Sequence, residues 1–321
     1  MVNLSIIIPH YNSYTSLKCL LLSIPKRDDL EIIVIDDKSD NSVLKKIENF
    51  IEELKFNNII LLRNETNKNG AGVCRNLGLK MAKGRWVLFA DSDDFFVNGF
   101  YDKIREYFNS KYDVIFFSPT SIEIPSKKKS DRHKAYEEII YNFTIKRDKK
   151  SELKLRYCFF VPWSKLINRK FLIKNNIYFD EILASNDIMF STKVGHLMKC
   201  FAVSNDVIYC VTRNKGSLTM NLTEEVFDAR LQAHIDYCNF LKSNLNDDEI
   251  SYFEIKGTGF ILNVIKYKLG IKKLISTYNL LRSNNIKVID KRYLNPIYLF
   301  KKLNYHRDIY IKSKKFITRQ N

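Results

Sequence analysis

The stretch Trp86-Val87-Leu88-Phe89-Ala90-Asp91-Ser92-Asp93-Asp94 decides how this chain is read: five apolar residues, then three carboxylates in four positions. An apolar run of that length reads as a strand buried on both faces, with the acidic residues beyond its carboxyl end. Residues i and i+2 of an extended segment project to the same side, so Asp91 and Asp93 converge on one point. Two hard oxygen donors there suit Mg²⁺ or Mn²⁺, which bind through few carboxylates plus substrate phosphates. An isolated D-x-D is more often a solvated acidic loop, so its weight depends on what surrounds it.

Upstream, Leu4 to Ile8, Glu31 to Ile35 and Ile59 to Leu62 have the same strand character, and downstream Val114 to Phe117 repeats it. Between them, Leu17, Leu20, Leu21 and Ile24, then Leu44, Ile47, Phe50, Ile51 and Leu54, recur at helical spacing. The alternation predicts an α/β fold with a mostly parallel central sheet flanked by helices. In such sheets ligands bind beyond the carboxyl ends of the strands. Pro9-His10-Tyr11-Asn12, Asp36-Asp37 and Arg63-Asn64 stand there beside Asp91 to Asp94. The run Asn67 to Asn76 adds a glycine-rich turn at a helix start, with Arg75 about one turn in, an arrangement that suits a phosphate. Taken singly, its glycines are an ordinary tight turn and Arg75 a solvated helix face. It is neither the dinucleotide pattern nor a Walker loop.

With 321 residues, about twice a typical ~150-residue domain, the chain can bury a substantial core. Its 45% apolar and 28% charged content excludes a disordered chain, a coiled coil or a disulfide-stapled miniprotein. No apolar run approaches the ~18 residues of a membrane-spanning helix, and the N-terminus lacks the parts of a leader, so a cytoplasmic protein is expected. Six widely spaced cysteines with no C-x-x-C pair fit reduced, mostly buried thiols. The formal charge of +17 favours an anionic partner. Much of it falls from Lys242 to the end, where seventeen Lys and Arg face six Asp and Glu.

Four blocks together carry a family resemblance: Ser5 to Asn12, Val34 to Ser42, Asn69-Gly70 to Arg75-Asn76, and Gly84 to Asp94. In order and spacing they resemble family 2 glycosyltransferases of the GT-A fold over roughly residues 3 to 118. The resemblance implies a nucleotide-sugar donor, usually a UDP-sugar, with Mn²⁺ or Mg²⁺. It implies that Pro9 and Tyr11 border the base and that Asp37, or its neighbour Asp36, hydrogen-bonds uracil or ribose. Arg75 then lies near the nucleotide, Asp91 and Ser92 near the ribose and sugar, and Asp93 ligates the metal bridging the diphosphate. His10 and Lys38 depart from the residues usual in the family.

The second half matches more loosely. Val161-Pro162-Trp163-Ser164-Lys165-Leu166-Ile167 and Ser185-Asn186-Asp187-Ile188-Met189-Phe190 resemble the W-x-K-L and E-D-x-x-F segments of capsule and lipopolysaccharide members. The resemblance makes Asp187 the general base of an inverting transfer, with Asn186 where a Glu is usual. The bland alternative for Asp187 is a helix N-cap. Trp163 reads as core rather than as a sugar platform, and the five histidines show no ligand spacing.

The expected organisation is a GT-A domain over 1–222, with a nucleotide-binding half (1–118) and an acceptor half (150–222), followed by a helical basic region over 223–321. Residues 119–150 read as a mobile excursion, 188–198 as a helix, and 227–245, 250–281 and 293–316 as helical. Lys301, Lys302, Arg307, Lys312, Lys314, Lys315 and Arg319 alternate with apolar side chains, which favours an anionic membrane surface and a lipid-linked glycan acceptor. The protein is then peripheral at the inner face of the membrane. A nucleic-acid-binding protein, motivated by the charge, finds no zinc finger, RRM signature or K-G-rich motif to support it, and a receiver-like phosphoacceptor on Asp36 and Asp37 leaves the second acidic motif unexplained.

Overall fold

The structure, a computed structural model, describes residues 2–124, 126–213 and 223–288 together with Ile297, Lys301 and Asn304. The chain divides into two compact units, Met1–Asn214 and Lys215–Asn321. The expected tail helix over 293–316 lies outside the described residues apart from those three positions. Among the described residues no helix is long and apolar enough to cross a membrane.

The first unit opens with β1 (Leu4–His10), α1 (Tyr14–Leu22), β2 (Leu30–Asp36), α2 (Asn41–Leu54), β3 (Ile59–Arg63), α3 (Ala71–Met81) and β4 (Trp86–Phe89). It continues with β5 (Phe95–Phe96), α4 (Phe100–Arg105), β6 (Val114–Glu123), α5 (Lys134–Lys146), α6 (Lys149–Cys158) and β7 (Lys165–Asn168). It ends with α7 (Arg169–Lys174), α8 (Asp187–Leu197) and β8 (Phe201–Arg213). The strands form one eight-stranded sheet in the order β3-β2-β1-β4-β7-β6-β8-β5. The β3-β2-β1-β4 half is parallel. Beyond it β7 runs antiparallel to both β4 and β6, β8 parallel to β6, and β5 antiparallel to β8.

Alternation along the strands fills both faces of this sheet. Ile6, Ile8, Ile32, Val34, Trp86 and Leu88 pack into one apolar cluster, while Ile7, Ile33, Ile35, Val87 and Phe89 pack into the other. A strand buried on both sides needs no polar residues, which is why the sequence shows continuous apolar runs. Pro9 sits in β1 past the last register pair with β4, Ile7 with Phe89, so its missing N–H interrupts no ladder there. At the opposite edge the buried Glu31 accepts from Ser5 Oγ at 2.6 Å, Lys83 N at 2.6 Å and Gly84 N at 3.2 Å, fixing the turn into β4.

Residues 119–150 are not an irregular excursion. β6 runs on to Glu123, pairing with β8 as far as Arg213, and residues 128–130 fold back on it through Glu123 N to Lys128 O (2.8 Å) and Ser130 N to Ser121 O (2.9 Å). Helices α5 and α6 follow. A buried set of Ser121, Ser130 and His133 ties the hairpin down, with His133 Nδ1 2.6 Å from Ser121 Oγ. Polar groups bonded to one another in this way read as loop in the sequence.

The second unit, described by itself, contains α9 (Glu224–Asn244), α10 (Asp247–Ser251), α11 (Thr258–Lys266) and α12 (Ile271–Ser283). The single helical stretch expected over 250–281 is thus broken, and α10 starts with a capping box in which Asn246 and Glu249 bond reciprocally.

Helices α6 and α8 pack most tightly at Gly195, where any Cβ would overlap the carbonyl oxygen of Arg156. Gly195→Ala forces the two helices apart, an overpacking that costs about 1–3 kcal/mol. The expected outcome is a lower urea midpoint with an unchanged m-value, and an unshifted midpoint contradicts the packing described.

Candidate active site

The carboxyl ends of β1, β2 and β4 converge with the start of α8, and each contributes a polar group. β1 leaves the sheet at Tyr11, 62% exposed, and at Asn12, whose φ of 45° is a conformation that Asn tolerates. Asn12 N donates to Ser39 Oγ at 2.8 Å, and Asp40 N donates to Asn12 Oδ1 at 2.9 Å, so the first two strand ends are laced together. His10 Nε2 accepts from Ser13 N at 3.1 Å and Nδ1 donates to Asp36 Oδ1 at 2.9 Å. Asp36 Oδ2 accepts from Ser39 N at 3.0 Å.

Burial alone would push the Asp36 carboxyl up, but the bonds from His10 and Ser39 outweigh it and hold it below the ordinary value. At 0% exposure Asp36 is an internal bracket. Its neighbour Asp37 is half-buried at the rim, accepting from Asn64 Nδ2 at 2.7 Å and Gly70 N at 2.6 Å. Asp37 is therefore the member of the pair that is open at the rim. Pro9 is buried within β1 opposite Ile35.

The glycine-rich run serves close packing. Gly70 has φ 115°, and at Gly72 a Cβ would overlap the Asp180 carbonyl oxygen and press on Asn186. This approach brings the first turn of α3 against the segment that precedes α8. Arg75 consequently is no solvated residue; it is 5% exposed. Its Nη1 donates to Asn186 Oδ1 at 2.8 Å, its Nη2 to Asp91 Oδ1 at 2.5 Å, and its guanidinium lies 5.2 Å from the Phe179 ring centroid.

The acidic turn is held from β8. Asp91 N donates to Tyr209 Oη at 2.8 Å, Thr212 N to Asp94 Oδ1 at 2.7 Å, and Thr212 Oγ1 to the Asp93 carbonyl at 2.6 Å. Ser92 Oγ lies 3.1 Å from Ser13 Oγ. Trp163 is buried and stacks on Tyr209, as core. Burial and then the charge of Asp91 push the Asp93 carboxyl up, with Arg132 opposing. Burial and the charges of Asp93 and Asp91 push Asp94 well above the ordinary value. Asp91 and Asp93 are hard oxygen donors of the kind that Mg²⁺ or Mn²⁺ takes together with phosphate oxygens, while among the described residues no group of three or more such side chains is placed to hold a metal by itself.

Asp187 is not a helix cap. It is the first residue of α8, the cap position belongs to Asn186, and the Asn186 side chain bonds Arg75 instead of the helix. Burial raises the Asp187 carboxyl; the charges of Arg75 and Lys165 pull it down and that of Asp91 pushes it up. Lys165, 1% exposed, donates to Phe159 O at 2.6 Å and Ser191 Oγ at 2.9 Å, and burial pulls its ammonium down to about 7. Ser191 is one helical turn beyond Asp187. Lys165, Tyr209, Thr212 and Arg132 were not among the residues singled out from the sequence. Lys165 stood in the W-x-K-L segment and could have been found, whereas nothing local marks the other three.

Residues 5–174 match the family model described as glycosyl transferase family 2, and the chain belongs to that family. A poly(ribitol-phosphate) beta-N-acetylglucosaminyltransferase, TarS, of Staphylococcus aureus is 27% identical over 223 residues, 67% of this chain and 36% of that protein. The match thus spans about a third of the relative's length. A GalNAc(5)-diNAcBac-PP-undecaprenol beta-1,3-glucosyltransferase of Campylobacter jejuni is 32% identical over 121 residues, 36% of this chain and 38% of that one. Among solved structures, S. aureus TarS 1-349 in complex with UDP-GlcNAc superposes with a TM-score of 0.61 at 21% identity, covering 86% of this chain and 79% of that one. A mannosyltransferase of Pyrobaculum calidifontis in complex with GDP-Man and Mn²⁺ gives a TM-score of 0.55 at 15% identity, covering 77% and 66%. The fold is that of the GT-A glycosyltransferases.

The charge of Lys165 is one of the influences that pull the Asp187 carboxyl down against burial. Lys165→Met removes that charge, and the Asp187 titration, already above 3.8, moves to higher pH. Carboxyl NMR of the two proteins checks this; a titration that stays put or moves down shows that Asp187 does not feel Lys165.

Proposed function

We propose that this chain is an inverting, divalent-metal-dependent glycosyltransferase that moves a sugar from a UDP-sugar to a cell-surface glycan acceptor of the lipopolysaccharide or capsule type. One observation carries the reading: Arg75 bridges Asp91, in the acidic turn, to Asn186, next to Asp187. Donor groups and base candidate are thereby held at a fixed separation by a single buried side chain. The TarS structure in complex with UDP-GlcNAc and the C. jejuni relative, named for an undecaprenol-linked substrate, support the donor and acceptor classes. Nucleic-acid binding finds no support in the fold or its relatives.

In this reading Tyr11 and Asp37 border the base and ribose, Asp91 and Ser92 the sugar, and Asp93 holds Mn²⁺ or Mg²⁺. Bound there, the cation supplies Lewis-acid compensation for the diphosphate charge. Asp187 accepts the acceptor hydroxyl proton while that oxygen forms its bond to the anomeric carbon. The bond from that carbon to the β-phosphate oxygen breaks, and its electron pair leaves with UDP. A single displacement inverts the carbon. Asp187→Asn keeps UDP affinity and melting temperature but lowers turnover by ~10²-fold or more, the usual worth of a positioned base. Release of UDP from UDP-GlcNAc and UDP-glucose with Mn²⁺ measures it, and normal turnover removes Asp187 as the base.

The second unit fits a lipid-linked acceptor presented at the inner face of the membrane. Between Thr258 and Val288 it has six Lys and Arg and no Asp or Glu. Ile265 (60%), Ile271 (67%) and Ile275 (55%) are exposed. On α12, Ile271, Ile275, Tyr278 and Arg282 recur on one stripe, the mixed apolar and cationic character of an interfacial helix. Each cation near an anionic surface contributes about 1 kcal/mol. Ile271→Asp with Ile275→Asp is expected to reduce sedimentation with phosphatidylglycerol vesicles, as is raised salt. Undiminished binding of the double variant takes the membrane contact away from α12.

A further inference from the structure

Arg132 stands on a rigid mount beside the acidic turn. Behind it, the return limb of the β6 hairpin is pinned by Ser130 N to Ser121 O, and His133 is fully buried against Ser121 Oγ, itself 2.7 Å from Ser130 Oγ. These bonds fix the backbone on which the arginine is carried. In front, Arg132 Nη1 donates to Thr212 O at 2.6 Å. Thr212 is the residue whose N and Oγ1 hold the Asp94 carboxylate and the Asp93 carbonyl. The side chain is otherwise exposed, and its Nη2 and Nε have no partner among the described residues.

A guanidinium bound at one corner and open at the other is pre-oriented, so little rotamer entropy remains to be lost when its second edge finds an anion. A residue that served only as counter-ion to the acidic turn would be expected to pair with a carboxylate. Arg132 bonds a carbonyl and keeps its free N–H groups for something else. Planar paired donors match phosphoryl oxygens.

Resting on the donor reading above, we propose that Arg132 is a direct ligand of the donor's diphosphate: anchored through Thr212, its free N–H groups bind the β-phosphoryl oxygens of a nucleoside diphosphate held at Asp93. It compensates the charge that appears there as the anomeric C–O bond breaks. The arginine and the acidic turn share Thr212, so the geometry that places one places the other.

Titration calorimetry with UDP, UMP and uridine in Mn²⁺, on wild type, Arg132→Gln and Arg132→Lys, tests this. Arg132→Gln is expected to weaken UDP by roughly tenfold or more, the scale of a lost charge-assisted bond, while UMP and uridine change far less. Arg132→Lys, which keeps the charge without the fork, recovers part of the loss. Melting temperatures guard against a disturbed hairpin, and Arg132→Lys carries the test if Arg132→Gln melts early. Unchanged UDP affinity overturns the proposal. Equal losses for UDP and uridine also overturn it, because the β-phosphate is then not what Arg132 reads. A wild type that binds no UDP removes the donor reading itself, an outcome that no Arg132 variant can mimic.

Discussion

Everything at the strand ends depends on how one buried guanidinium is held. Arg75 has a carboxylate on one side, an amide on the other and an aromatic ring in contact, while its buried Nε has no partner among the described residues. Removing a charge from water is costly unless it is paired and hydrogen-bonded, so the arginine constrains its neighbours as much as they constrain it. Gly72 permits the approach, since any side chain there would meet the segment carrying Asn186. The amide matters electrostatically. A Glu at 186 would cancel the arginine charge locally, whereas Asn accepts the bond and leaves that charge acting on Asp91 and Asp187.

Two kinds of carboxylate environment stand side by side. Asp36 accepts from a ring nitrogen and a backbone amide and is held low despite burial. Asp93, Asp94 and Asp187 are raised, because burial and nearby like charges dominate around the turn and at the start of α8. A carboxylate that braces the fold and carboxylates left chemically usable can be told apart on this ground.

The parallel half of the sheet was legible because strands buried on both faces leave continuous apolar runs, and β1, β2, β3 and β4 begin at Leu4, Leu30, Ile59 and Trp86, within a residue of where those runs begin. The other half was not. β8 is interrupted by the exposed Asn205 and Asp206, and its register with β6 shifts at Phe117 to Pro119, so no clean alternation survives. The polar limb of β6 is stabilised by Ser121, Ser130 and His133, residues that carry no strand signal. In the same way the acidic motif and Arg75 could be found from spacing, while the residues that hold them came from far away in the chain. Tyr209 and Thr212 are 118 positions from Asp91 and Asp94, respectively. The helical rhythm of the second unit was visible, but not its breaks at α10 and before α12.

That separation bears on the order in which the molecule comes together. Pairing strands distant in sequence costs loop-closure entropy before any contact repays it, so β8 is among the last strands to dock. Until it does, the Asp94 carboxylate lacks the amide of Thr212 and the Asp91 amide lacks Tyr209. A chain emerging from the ribosome therefore completes its parallel half while the acidic turn is still in water. The strand-end site is finished only when residues beyond 208 have been added, and a product truncated earlier keeps the recognisable motifs without a formed site.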